Sequence, residues 1–134
     1  MAIRILSDEN CVGQVEAIFS ELNRLGYVEL LEVELLTWST AGLAPGTDDE
    51  PLWRYCQEND CLLITGNRTG DDGEEALELI IRDLVGPTHL PVLTVGNLKR
   101  VLRNRRYCTA CAQRLADIIF DLQFYRGITR LYLP

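Results

Sequence analysis

Two short runs with almost no polar interruption, CLLIT at 61–65 and PVLTV at 91–95, constrain this chain more than any other feature. Runs of that length, bounded by turn residues, are the mark of parallel strands buried on both faces. The opening AIRILS behaves alike, with Ile3, Ile5 and Leu6 reading as a third strand. Between these runs lie segments of helical period. Val12, Val15, Ile18, Phe19, Leu22 and Leu25 predict one helix, with Asn10 as its cap and Gly26 as its stop. Leu52, Trp53 and Cys56 share a face of a second, over about 48–58, and Ala76, Leu77, Ile80, Ile81 and Leu84 mark a third ending near Gly86-Pro87. A last helix runs through Cys108, Cys111, Ala112, Leu115, Ile118, Ile119 and Leu122. ITRLYLP supplies a candidate edge strand, whereas YVELLEVELLTW fits a strand or a helix equally.

Strands alternating with amphipathic helices predict an α/β fold, a three-layer sandwich around a mostly parallel sheet of four or five strands. The chain of 134 residues has room for one core, so residues 1–134 are read as a single domain, with 98–134 holding a basic segment, a helix and the edge strand. An apolar share of 47% with 25% charged residues fits a folded, water-exposed chain. No run approaches the ~18 apolar residues that span a bilayer, and MAIRILSDEN has no signal-peptide core. A cytoplasmic protein without a membrane partner is expected, and the odd count of five scattered cysteines agrees with reduced thiols.

In such a fold the loops beyond the carboxyl ends of the strands build the site. Here they are SDEN, GNRTGDDGEE and VGN, joined by GTDDE at the start of the second helix. Asp8 and Glu9, Asp48, Asp49 and Glu50, and Asp71, Asp72, Glu74 and Glu75 make nine of the 20 acidic residues. Carboxylates crowded on one sheet edge repel unless a cation lies between them, and hard oxygen donors suit Mg²⁺ or Mn²⁺. Helix capping is the competing explanation, because each cluster falls at a predicted helix start and Thr47-x-x-Glu50 matches a capping box.

The net charge of −7 disfavours a general nucleic-acid coat. It is unevenly spread, however: Lys99, Arg100, Arg103, Arg105 and Arg106 fall within eight positions, and without those five cations the net charge would be −12. The segment NLKRVLRNRR reads either as a contact for phosphates or as a solvated helix face with Leu98, Val101 and Leu102 turned inward. Cys108-Thr-Ala-Cys111 is half of a zinc pattern, but His89 is the only histidine and both cysteines lie on an apolar helix face, so core packing is expected. A single histidine disfavours Ser-His-Asp and Cys-His chemistry, and neither a Walker loop nor G-x-G-x-x-G follows the first strand.

RILSDEN, DDEPLW at 48–53 and LLITGN at 62–67 together resemble the PIN-like domains, in particular the short bacterial type with LLDEN, an acid-led helix SDEEIL and a strand ending LVTRD. The resemblance covers roughly residues 3–97 in order and spacing. It implies a Mg²⁺- or Mn²⁺-dependent ribonuclease, of a kind often found as the toxin of a toxin–antitoxin pair. RNA is then the implied substrate, with an antitoxin protein and a second copy of the chain as candidate partners. Carried over position by position, it makes Asp8 and Asp49 metal ligands. The family's third acid falls on Asn67 and a further one on Thr69, so Asp71 or Asp72 would have to complete the site. Thr65 and Asn67 would position water or phosphate, and Lys99, Arg100, Arg103, Arg105 and Arg106 would hold RNA backbone. The alternative is a degenerate PIN-like domain that binds nucleic acid or protein without cleaving. Response-regulator receivers share the acid pair after the first strand, but they need an aspartate at the end of the third, where LLITGN has none.

Overall fold

The computed structural model describes residues 2–66, 84 and 86–134. Five strands, β1 (Ile3–Ser7), β2 (Val33–Leu35), β3 (Cys61–Gly66), β4 (Val92–Val95) and β5 (Arg130–Leu133), form one sheet in the order β2-β1-β3-β4-β5. All four pairings are parallel, including that of the terminal edge strand. Parallel neighbours need crossovers, and the described connections run through α1 (Val12–Arg24), α2 (Tyr27–Leu31), α3 (Trp38–Ala41), α4 (Asp49–Glu58), α5 (Leu98–Arg103) and α6 (Arg105–Phe120). The predicted helix at 76–84 falls outside the described residues, apart from Leu84.

Strand side chains alternate between two separate cores, as a sheet covered on both faces requires. Ile5, Leu62, Ile64, Leu93, Val95 and Leu133 join α1 and α6 on one face. Leu6, Cys61, Leu63 and Val92 meet Leu52, Trp53 and Cys56 of α4 on the other. The fold is therefore an α/β sandwich of three layers, and the burial of β3 and β4 on both faces explains why their sequences show no polar alternation. All five cysteines are free and buried, Cys108 and Cys111 among them, in keeping with a core role. Burial raises the Cys111 thiol to about 11, so it stays protonated at neutral pH. Among the described residues, no helix is long and apolar enough to cross a membrane.

The ambiguous YVELLEVELL segment is both structures in turn. Helix α2 ends where Glu32 adopts a left-handed φ of 54°, and β2 begins one residue later. The Leu/Glu pattern satisfies both periods, so only the backbone reversal separates them. Helix α1 starts at Val12, with Cys11 and not Asn10 as its N-cap, because a 3-10 turn, Glu9–Cys11, intervenes; Asp8 caps that turn, its carboxylate accepting the Asn10 N–H at 3.2 Å. The predicted capping box at Thr47 and Glu50 is absent. Asp48 is the N-cap of α4 without a side-chain bond, and the Thr47 hydroxyl donates to the Ala44 carbonyl at 2.6 Å. Pro51 falls in the first turn of α4, where a missing N–H costs no helical bond. A capping box does occur one loop earlier, where Thr37 and Thr40 close the start of α3.

Candidate functional site

The strand order reverses direction between β1 and β3, and the crevice beyond their carboxyl ends is where a doubly wound sheet binds ligands. Asp8 is the first residue past β1. Its backbone N–H donates to the Ile64 carbonyl at 2.8 Å, extending the ladder one step and fixing its position against β3. Beside it, the Trp38 indole N–H donates to the Ser7 carbonyl at 2.8 Å, which pins α3 over the end of β1. Buried Leu52, Trp53 and Cys56 seat α4 on the sheet and bring its first turn to the same edge.

The result is a cleft of about 210 Å³ lined by Asp8, Glu9, Asp48 and Asp49, with Trp38 and Leu52 as its apolar side. Asp8 and Asp49, 41 positions apart in sequence, thus line one cleft. Asp8 is buried at 8% exposure, whereas Glu9 and Asp48 face solvent and Asp49 is half-buried. Glu9 does not cap the helix that follows it. Its carboxylate accepts the Gly46 N–H, with oxygens at 3.1 and 3.3 Å, and so ties the α3–α4 loop to the end of β1. The side-chain cap bond at this turn is made by Asp8 and not by Glu9.

Thr65 lies beneath this edge and not in the cleft lining. It is 5% exposed, and its hydroxyl pairs with that of Thr94 at 3.2 Å between β3 and β4. Asn67, Asp71 and Asp72 lie outside the described residues. Two carboxylates and solvent match in kind the hard donors that Mg²⁺ accepts while retaining several waters. Among the described residues, no group of three His, Cys, Asp or Glu gathers closely enough to hold a metal ion.

The basic segment forms two short helices capped alike. Asn97 accepts the Arg100 N–H at 3.2 Å, and Asn104 accepts the Tyr107 N–H at the same distance. The two asparagines, seven positions apart, are the local signal for this break, and it is easily lost among the charges. The Tyr107 hydroxyl accepts the Asn97 N–H at 2.9 Å and locks the two helices together. Lys99, Arg100, Arg103, Arg105 and Arg106 are all exposed. Arg100 lies over the Tyr107 ring, 4.5 Å from its centre, and Arg105 approaches Glu21 at 4.0 Å. Among the described residues, no carboxylate comes within ion-pair distance of Lys99, Arg103 or Arg106. Val101 turns inward as expected and Leu98 is half-buried, but Leu102 is 62% exposed and stands among the cations.

Glu21 belongs to no motif, yet its carboxyl is held well below the usual carboxylate range. Its hydrogen bond from Arg24, then that from the Thr109 hydroxyl at 2.7 Å, holds its carboxyl down at about 2 against burial. This group bridges α1 and α6 away from the cleft and serves the packing of those helices.

No family model, no curated protein and no solved structure matches this chain. The site therefore rests on its own geometry.

Proposed function

We propose that the chain is a PIN-like, divalent-metal-dependent ribonuclease acting on RNA phosphodiester bonds, with a toxin of a toxin–antitoxin pair as its biological setting. The observation that supports this reading is the meeting of Asp8 and Asp49, from β1 and α4, in one cleft at the switch point of the sheet. Those two carboxylates would hold Mg²⁺ or Mn²⁺; bound there, such an ion stabilises charge on the phosphate oxygens and makes water more acidic. The chain's own contribution is positional. The Asp8 N–H bond to Ile64 and the burial of the α4 face keep both acids in place without substrate. Exposed Lys99, Arg103 and Arg106, without carboxylate partners among the described residues, would attract and orient the RNA backbone against an otherwise acidic surface.

A second reading, a degenerate PIN-like module that binds RNA or protein, is favoured by one feature of the sequence: Asn67 stands where the family's third acid falls. One experiment separates them. Purified protein and an Asp8→Asn plus Asp49→Asn variant are each incubated with single-stranded RNA and Mn²⁺. Cleavage by the native chain alone is expected. No cleavage, together with no Mn²⁺-dependent rise in Tm, would overturn the ribonuclease reading; RNA binding without cleavage would favour the module.

A further inference from the structure

Adjoining the acidic cleft, with Glu9 and Trp38 lining both, lies a second cavity of about 220 Å³. Val12, Leu35, Leu36 and the Trp38 ring form its walls, and Glu9 and Glu16 stand at its margin. Its walls are mainly apolar, and among the described residues no lysine or arginine lines it. The volume is below the ~300 Å³ at which pockets begin to take drug-sized ligands, which limits the occupant to a small molecule.

The cavity is held open by bonds already made. The Trp38 N–H is committed to the Ser7 carbonyl, and the capping box at Thr37 fixes the turn that carries the ring, so the indole is set as a wall. Glu9 is oriented by the Gly46 N–H, and Glu16 is exposed on α1. An apolar guest alone would fill the walls and leave the negative charge of the two carboxylates unneutralised, since the Gly46 N–H that Glu9 accepts is a neutral donor. An anion would be repelled. A cation on a short alkyl stem satisfies both parts: the stem meets Val12, Leu35 and Leu36, while the charge is attracted by the indole face and by the two acids. We propose that this cavity is a binding site for a small alkylammonium ion, adjoining the cleft lined by Asp8 and Asp49 and sharing Glu9 and Trp38 with it.

The test uses the full chain and n-pentylammonium as the probe, followed by calorimetry and by tryptophan fluorescence. Trp53 is only 2% exposed, so a quench on addition reports Trp38. With six non-hydrogen atoms, the probe is expected to bind with a Kd of about 1 mM. It should bind about tenfold more tightly than 1-pentanol, and pentanoate should not bind. A Glu9→Gln plus Glu16→Gln variant with unchanged Tm should fall to the level of the alcohol. The Asp8→Asn plus Asp49→Asn variant should bind as the native chain does, whether or not the protein cleaves RNA. Equal affinity for the ammonium and the alcohol would overturn the proposal, as would no saturable binding. Loss of binding in the Asp8 and Asp49 variant would overturn it too, by placing the amine in the acidic cleft. A capped lysyl tripeptide binding more tightly than pentylammonium would reject a free amine in favour of a protein side chain.

Discussion

The acidic and basic regions of this molecule are built in opposite ways. The acidic cleft collects Asp8, Glu9, Asp48 and Asp49 from the end of one strand and the start of a distant helix, through Trp38, Gly46 and the sheet ladder. The basic surface is one continuous stretch, 99–106, held by two asparagine caps and a single tyrosine. Charges gathered by tertiary structure are fixed in place and disappear with the fold. Charges gathered by local sequence keep their proximity in the unfolded chain, and only their direction depends on folding.

Loss of the cations is expected to have the largest effect. Replacing Lys99, Arg103 and Arg106 together by alanine should weaken binding of single-stranded RNA by on the order of 10²-fold and lower the salt dependence of log K by about 2, since each neutralised phosphate of a single strand contributes ~0.7. Electrophoretic or fluorescence titrations at several salt concentrations measure this. An unchanged salt slope would show that these cations do not meet phosphate.

Gly66 joins the two regions, because it ends β3 and receives the Leu98 side chain that opens α5. A Cβ added there would lie 2.1 Å from Leu98 Cδ1 and 2.7 Å from its Cγ. Gly66→Ala should therefore cost about 1–3 kcal/mol and displace the basic helices, read as a lower urea midpoint with amide shifts over 97–107. Gly66→Ala plus Leu98→Ala should recover part of the stability.

The asparagine caps come next. Asn97→Ala and Asn104→Ala should each cost about 1 kcal/mol, and Asn104→Ala should also disturb the joint between α5 and α6. Denaturant unfolding of each variant checks the size, and additive losses would show that the two helices are capped independently.

The smallest effect expected is at Glu21, which links the basic segment back to α1. Its folded pKa of about 2 lies below its ordinary 4.5, so the stabilisation is fully present above pH 4.5 and is lost as pH falls toward 2. Its partners Arg24 and Arg105 are half or more exposed, which screens the gain to about 1 kcal/mol. Glu21→Gln should lower Tm at pH 7 by a few degrees and leave it less sensitive to acid between pH 4.5 and 2. An equal acid slope in both proteins would remove Glu21 as the cause.

Much of the architecture was legible in the chain because burial on both faces leaves an unmistakable apolar run. CLLIT and PVLTV lie at β3 and β4, and the candidate edge strand ITRLYLP contains β5 at 130–133. The site was legible only in outline. Asp8 and Asp49 are visible as acids after a strand and before a helix, and the topology of a parallel sheet brings such positions to one edge. Their division of labour is not visible. Asp8 caps and Glu9 reaches out because Gly46, 37 positions from Glu9, arrives with a free N–H. Trp38 gave no signal at all, since its importance lies in a bond to the Ser7 carbonyl, 31 positions away.

The sequence by itself thus determined the layers, the strand positions and the clustering of charge, because periodicity and composition are local and burial acts on them directly. Tertiary structure alone decided that Asp8 caps while Glu9 holds the Gly46 N–H, that Thr65 pairs with Thr94 and that Trp38 lines two cavities. Those outcomes depend on backbone donors and acceptors delivered from distant loops, and no side-chain pattern records where such groups will be.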